Sequence, residues 1–290
     1  MSSTDTPLTM VDTRREGGSA ATLARAYKAL KYVVYALLSV NIALFLNEEM
    51  ASSAHAAPSG MDLFTVIQLF SATLDTAAWV LLLLLFELET AVIPDDRLVG
   101  KTQWVIHGIR LICGLAIVSA FWGYLGEWQV FWHSEILQVP ACELVGQGWS
   151  ILLDFDKFIA LDAESCIALG FEIVAVTGLE QVVATPMAFN SAYQLGLVDV
   201  INSATWILVV VLLEIEVRLQ LGGGVPQEFQ RPLNGAKIVL YLTLAVAAVY
   251  WGFEGEFLDF WDAALWLFAF VFIELNVFEW QRDLAQQARE

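Results

Sequence analysis

The chain has 290 residues, of which 58% are apolar and only 16% charged, and its formal charge is −18. Soluble domains hold about 25% charged residues, so an ordinary water-soluble domain is excluded. The negative balance also excludes a nucleic-acid surface, which needs bases to neutralise phosphates.

In chain order, residues 1–24 read as a disordered cytoplasmic N-terminus. Region 25–127 holds transmembrane helices 1–3, 128–195 is an extracytoplasmic insertion, 196–281 holds helices 4–6, and 282–290 is a cytoplasmic tail. The six apolar runs are 29–47, 64–88, 106–126, 196–216, 236–253 and 257–279. A helix needs about 20 such residues to cross a bilayer. Barrel strands alternate apolar and polar positions; these runs do not, so the expected class is all-α and polytopic. The first run, followed by Ser53-Ala54-His55-Ala56-Ala57, resembles a signal peptide. Its basic leader is long for one, and the repeat described below needs this helix.

Basic residues set the orientation. Arg14, Arg15, Arg25, Lys28 and Lys31 precede or open the first run; Arg97, Lys101 and Arg110 lie between runs two and three or open run three. Arg218, Arg231 and Lys237 flank the next such loop, and Arg282 and Arg289 follow the last run. Of the fourteen Lys and Arg, only Lys157 falls on the other side. The expected placement is a multi-pass protein of the plasma (inner) membrane with both termini cytoplasmic.

An internal repeat organises the chain. Asp75-Thr76-Ala77-Ala78-Trp79 precedes Phe86-Glu87-Leu88-Glu89; Asn202-Ser203-Ala204-Thr205-Trp206 precedes Leu213-Glu214-Ile215-Glu216; Asp262-Ala263-Ala264-Leu265-Trp266 precedes Ile273-Glu274-Leu275-Asn276. The preceding helices repeat more loosely, each running from a base to an acid: Lys31 to Glu48, Arg110 to Glu127, Lys237 to Glu256. Two spans per unit restore the same topology, so the six helices read as three parallel-repeat helical hairpins, unlike inverted-repeat transporters.

The insertion carries Cys142 and Cys166 in a compartment that permits disulfides, and their pairing is expected. Segments 149–158 and 164–183 read as amphipathic, the second as a surface, bundle-packed or re-entrant helix. Asp154, Asp156, Asp162 and Glu164 lack the glycine and terminal glutamate of a calcium loop. His133 with Cys142 and Cys166 fits no common zinc spacing, so no metal is assigned.

On the repeated helices, Trp79 and Glu89 each lie about 40° from Asp75, at about 100° per residue, so all three share a face. Acids inside a membrane are costly and face a cavity or a partner. Asp75, Glu87, Glu89, Asn202, Glu214, Glu216, Asp262, Glu274 and Asn276 are therefore candidate cation-pathway residues, as carboxylate rings favour cations. The competing reading has the glutamates pairing with Arg97, Arg218 or Lys237, and the Asp/Asn residues joining helices.

His55, His107 and His133 are dispersed and no nucleophile–base set is evident, so neither an enzyme nor a cofactor is expected. The expected function is a cation or proton channel or transporter. The alternative is a non-catalytic membrane subunit or receptor whose insertion binds a partner protein. Expected partners are the lipid bilayer, cations, and a second copy or a partner membrane protein.

Overall fold

The computed structural model describes residues 10–56, 62–89, 100–170, 172–221 and 227–270. Helices α1 (Met10–Ala56), α2 (Leu63–Leu69), α3 (Ser71–Glu87) and α4 (Lys101–Val130) come first. The insertion follows: β1 (Ser134–Leu137), a 3-10 turn (Ala141–Leu144), β2 (Ser150–Leu152), β3 (Phe158–Ala160), α5 (Ser165–Ala168), β4 (Ile173–Val176) and β5 (Val182–Ala184). Helices α6 (Pro186–Leu221) and α7 (Gln227–Glu254) come next, then α8, described over 257–270.

The protein is mostly helical. Four helices are long and apolar enough to cross a membrane: Arg25–Ala54, Lys101–Val130, Pro186–Glu216 and Glu228–Glu254. At 1.5 Å per residue, even the shortest reaches about 40 Å, beyond the roughly 30 Å hydrocarbon core. The expected second span is not straight: α2 and α3 meet at an angle of 78°. The break falls at Phe70 (φ −127°, ψ 34°), whose backbone leaves the helical region. The sixth span, expected over 257–279, is helical as far as residue 270 and beyond that lies outside the described residues. Among the described residues, four helices are thus long and apolar enough to span, or five if the bent pair is one span.

The described residues divide into two compact units, one holding 10–39 and 264–270, the other drawn from 40–263. In the first, Val34, Tyr35 and Leu38 are buried on α1, and Leu265, Trp266, Ala269 and Phe270 on α8. Lys31 lays its ammonium 5.5 Å and 5.9 Å from the ring centres of Tyr32 and Tyr35, a cation–π arrangement that suits a nearly buried lysine.

In the second unit, α4 packs on α3, α2 and α6, and α6 packs on α7. Glycine sets the closest approach. A Cβ at Gly123 would stand 2.9 Å from the Ile67 carbonyl oxygen and the Ser71 Cβ, so α2 can lie against α4 only because that side chain is missing. Thr185 caps α6 by accepting the Ala188 N–H at 3.1 Å, and Pro186 takes the first helical position, where its missing N–H costs nothing.

The insertion corrects the all-α expectation. It is a five-stranded mixed sheet in the order β1-β4-β5-β2-β3, with β2 and β5 parallel and the other pairs antiparallel. Segment 164–183, expected as one amphipathic helix, is α5 followed by β4 and β5, and 149–158 forms β2, a turn and the start of β3. The reason lies in its β-branched residues: Ile173, Val174, Val176, Val182 and Val183 fit a pleated surface covered on both sides. One side of the sheet packs Leu152, Val174, Val176, Val182 and Ala184 with Phe131 and Ala192. The other packs Ile151, Ile173 and Val183 with Ala141, Leu161, Cys166 and Leu169. The Cys142–Cys166 disulfide ties the 3-10 turn to α5 on that second side.

Candidate functional site

The β2–β3 turn delivers charge to the helix ends. Leu152 pairs with Phe158, and the Leu153 N–H donates to the Lys157 carbonyl at 2.8 Å, leaving Asp154-Phe155-Asp156 at the tip. Phe155 drives the tip onto the helices. It packs against Phe131 at 5.5 Å between ring centres and against the Leu195–Trp251 cluster. A Cβ at Gly196 would lie 2.7 Å from its ring, so a side chain on α6 there would evict it.

Asp156 therefore meets Glu48 of α1 and Glu256 of the α7–α8 turn, with one carboxylate oxygen from each lying within 4.8 Å of the others. Three carboxylates so close are able to hold a metal ion. A cation is already built in, however: the Lys157 ammonium donates to both Glu256 oxygens, at 2.5 Å and 2.6 Å, and stands 3.8 Å from Asp154. Burial pushes the Glu256 carboxyl up to about 7, and a hydrogen bond with Asp154 adds to it while Lys157 opposes it. Burial likewise raises Asp156 against the pull of Lys157. Burial acts to lower the Lys157 ammonium, but Glu256, Asp156 and Asp154 together outweigh it and hold lysine above its ordinary value.

Four more acids lie within electrostatic reach of this cluster or of one another. Glu49 caps the break between α2 and α3, accepting the Ala72 N–H at 2.7 Å and the Thr73 hydroxyl at 2.5 Å. Helix N-terminal N–H groups lack intrahelical partners, and no side chain at Phe70 can serve them. Glu127 of α4 accepts the Ser71 hydroxyl at 3.0 Å. Asp199 of α6 accepts the Trp251 indole N–H at 3.1 Å. Asp259 of α8 is within electrostatic reach of Asp199, Asp156, Glu48 and Glu256.

Deeper in the helices is a layer of mixed carboxyl and amide groups. Asn41 of α1 donates to Asp262 of α8 at 2.7 Å. The Asp262 carboxylate acts electrostatically on Asp75 of α3, and Asp75 accepts a hydrogen bond from the Trp79 side chain. Trp79 in turn meets Trp206 at 6.3 Å between ring centres, so the faces bearing Asp75 and Asn202 adjoin. The Asp75 Oδ1, Asn202 Oδ1 and Ser203 Oγ atoms are buried without a hydrogen-bond partner. Tyr124 of α4 links the layers, within electrostatic reach of Asp75 as well as Glu49, Asp199 and Glu127.

The other expected site residues divide by depth. Glu89 pairs with Arg110, Glu216 with Lys237, and Glu214 with Arg218 at 2.7 Å. These glutamates therefore neutralise bases at the opposite end of the helices. Glu87 is buried on α3. Glu274 and Asn276 lie outside the described residues. The structure thus brings Asp75 within electrostatic reach of Asp262, sets the helix face bearing Asn202 against that of Asp75 through Trp79 and Trp206, and places Glu89, Glu214 and Glu216 in ion pairs.

Sequence reading left Asn41, Glu48, Glu49, Tyr124, Glu127, Asp156, Asp199, Glu256 and Asp259 out of the site. Asp199 and Asp259 carried a signal: each stands three residues before the repeated Asn202 or Asp262, one helical turn outward. In the first copy that position is Ala72, whose N–H is capped by the Glu49 carboxylate. Neither a protein-family model, nor a curated protein, nor a solved structure matches this chain.

Proposed function

We propose that this chain is an integral membrane protein that conducts protons or small cations as a channel or transporter. The observation that carries this reading is the succession of carboxyl groups from the β2–β3 tip into the helices. It runs through Asp156, Glu48 and Glu256, then Asp259, Asp199 and Glu127, to Asp75 and Asp262. Acids at membrane depth are costly unless they serve a pathway or one another, and an acidic mouth concentrates cations. In this reading the three parallel helical hairpins each contribute one acid-tipped helix and one Asp/Asn-bearing helix. The insertion faces outward at the plasma (inner) membrane, and both termini are cytoplasmic.

Purified protein in vesicles is given a proton or alkali-cation gradient, and flux is followed with an entrapped indicator. Wild type carries flux, Asp75→Asn abolishes it, and Glu89→Gln, which alters only an ion pair at the far end, retains most of it. Absence of flux from the wild type under every gradient overturns the proposal.

A second reading rests on Ile136 and Ile167, which stand 75% and 76% exposed on the insertion. There the chain is a subunit or receptor whose insertion binds a partner protein. A stoichiometric partner that copurifies with the chain and is lost on deletion of 135–190 supports it.

A further inference from the structure

We propose that α2 lies in the plane of the bilayer, at the hydrocarbon boundary on the insertion end of the helices, with Leu63, Phe64 and Val66 set into lipid, and that α3 makes the crossing alone. This face serves lipid contact and stands apart from the acid pathway.

The composition of α2 calls for an apolar cover. Leu63, Phe64, Val66, Ile67 and Leu69 are apolar, yet no residue of the helix is buried. Leu63 is 77% exposed and Phe64 52%. The opposite side of the helix is committed to α4: Ile67 stands against Gly123, and Gln68 against Gly126. Leu63 and Val66, three residues apart, share the outward face. An exposed apolar face of this kind marks a membrane or partner surface.

Two contacts with α4 fix its level. Just past one end of α3, Glu89 pairs with Arg110. At the other end Ser71, the first residue of α3, donates its hydroxyl to Glu127 at 3.0 Å. Residues 110 and 127 are about 25 Å apart along α4 at 1.5 Å per residue, close to the roughly 30 Å of the hydrocarbon core. The stretch from Ser71 to Glu89 therefore crosses the core unaided, and α3 begins at the boundary. There α2 joins it at an angle of 78°. That is nearly perpendicular, so the about 10 Å length of α2 runs along the boundary and not across it.

The surroundings name lipid as the cover. Leu115, Val118 and Trp122 are exposed along one stripe of α4, within the stretch apolar enough to span. Gly123 and Gly126, on which α2 packs, flank the end of that stripe. The apolar face of α2 thus continues the surface that a spanning α4 turns to lipid, and Trp122 stands at the level where tryptophan suits the membrane–water interface. At the free end of α2, exposed Asp62 accepts the Thr65 N–H at 2.7 Å and its hydroxyl at 2.8 Å. These bonds hold its carboxyl below the ordinary value. An ionised carboxylate there keeps α2 from dipping into hydrocarbon.

Nitroxide depth measurements test this. Leu63→Cys, Phe64→Cys and Val66→Cys are made singly in the full chain carrying Cys113→Ser, spin-labelled, and reconstituted in phosphatidylcholine vesicles. Collision rates with oxygen and with a water-soluble nickel chelate report depth. Leu115→Cys on α4 and Ile167→Cys on the insertion are the references, and circular dichroism checks each fold. The expected result is that all three α2 labels favour oxygen and lie at one shallow depth, about 5–10 Å into the bilayer, between the two references. Labels as open to nickel as Ile167 put α2 in water, labels shielded from both reagents put it under protein, and a depth that grows from Val66 to Leu63 makes it re-entrant; each overturns the proposal. A Leu115 label that also lies in water sinks the membrane reading together with it, whereas failure at α2 with Leu115 deep in lipid sinks this proposal alone.

Discussion

Lys157 and Glu256, 99 residues apart in sequence, are joined by two hydrogen bonds from one ammonium to both carboxylate oxygens, at 2.5 Å and 2.6 Å. The contact pins the insertion's β2–β3 turn to the α7–α8 turn. Removing one partner leaves the other charge among Asp154, Asp156 and Glu48. Lys157→Met is expected to destabilise the protein by about 1–3 kcal/mol, below the figure for a fully buried pair because the lysine side chain is 45% exposed. Adding Glu256→Gln should recover part of that loss. A double-mutant cycle on thermal unfolding measures it, and additive losses would show that the pair is uncoupled.

The same glutamate gives a pH dependence of definite sign. Its carboxyl is pushed up to about 7 in the folded protein from an ordinary value near 4.5. The folded state therefore holds a proton that the unfolded state has released. The resulting stabilisation is complete below about pH 4.5 and is lost as pH rises through 7, by at most about 3 kcal/mol. Unfolding midpoints measured from pH 4.5 to 8 should fall, and Glu256→Gln should flatten that fall.

Gly196 tests how the tip is seated. A methyl group there would lie 2.7 Å from the Phe155 ring and 3.3 Å from the Trp128 Cα. Overpacking of this kind costs about 1–3 kcal/mol. Gly196→Ala should lower the unfolding midpoint, and Phe155→Leu in the same chain should restore part of it. A Gly196→Ala protein as stable as wild type would mean that the ring moves aside freely.

Reduction separates the insertion from the helices. The Cys142–Cys166 bridge closes a segment with a sequence separation of 24, and loop-closure entropy assigns such a bridge about 3 kcal/mol. Cys142→Ser should make the β-sheet region cleavable by protease, while the long helices, whose backbone bonds close within each helix, keep their far-ultraviolet signal.

The long helices were legible because lipid demands unbroken apolar runs, and α4, α6 and α7 all contain the expected spans 106–126, 196–216 and 236–253. The disulfide was legible because both cysteines fall in the segment expected to lie outside the cytoplasm. The sheet was not. Its strands are three or four residues long, and Ile173-Val174-Ala175-Val176 carries no alternation to mark it as a strand. Short apolar runs look alike in helix and sheet, and only the β-branched content and the flanking Gly170 and Gly178 pointed to strands. For the site, Glu48, Glu127 and Glu256 were visible as acids at the ends of helices. Their meeting with Asp156 was not, since it depends on where a β-turn lands. The roles of Glu89, Glu214 and Glu216 were ambiguous from periodicity, because a helical face records direction around an axis and not depth along it.

The seating of the β2–β3 tip also sets an order of construction. Lys157 is synthesised well before Glu256, so the tip emerges while its counter-charge has yet to be made. Until α6 and α7 are in place, Phe155 lacks Gly196 to rest on and three carboxylates lack the frame that gathers them. The acidic end is thus closed late, by the arrival of the α7–α8 turn. A chain ending before residue 256 would lack the carboxylate that holds the Lys157 ammonium, and its charged turn would be unanchored.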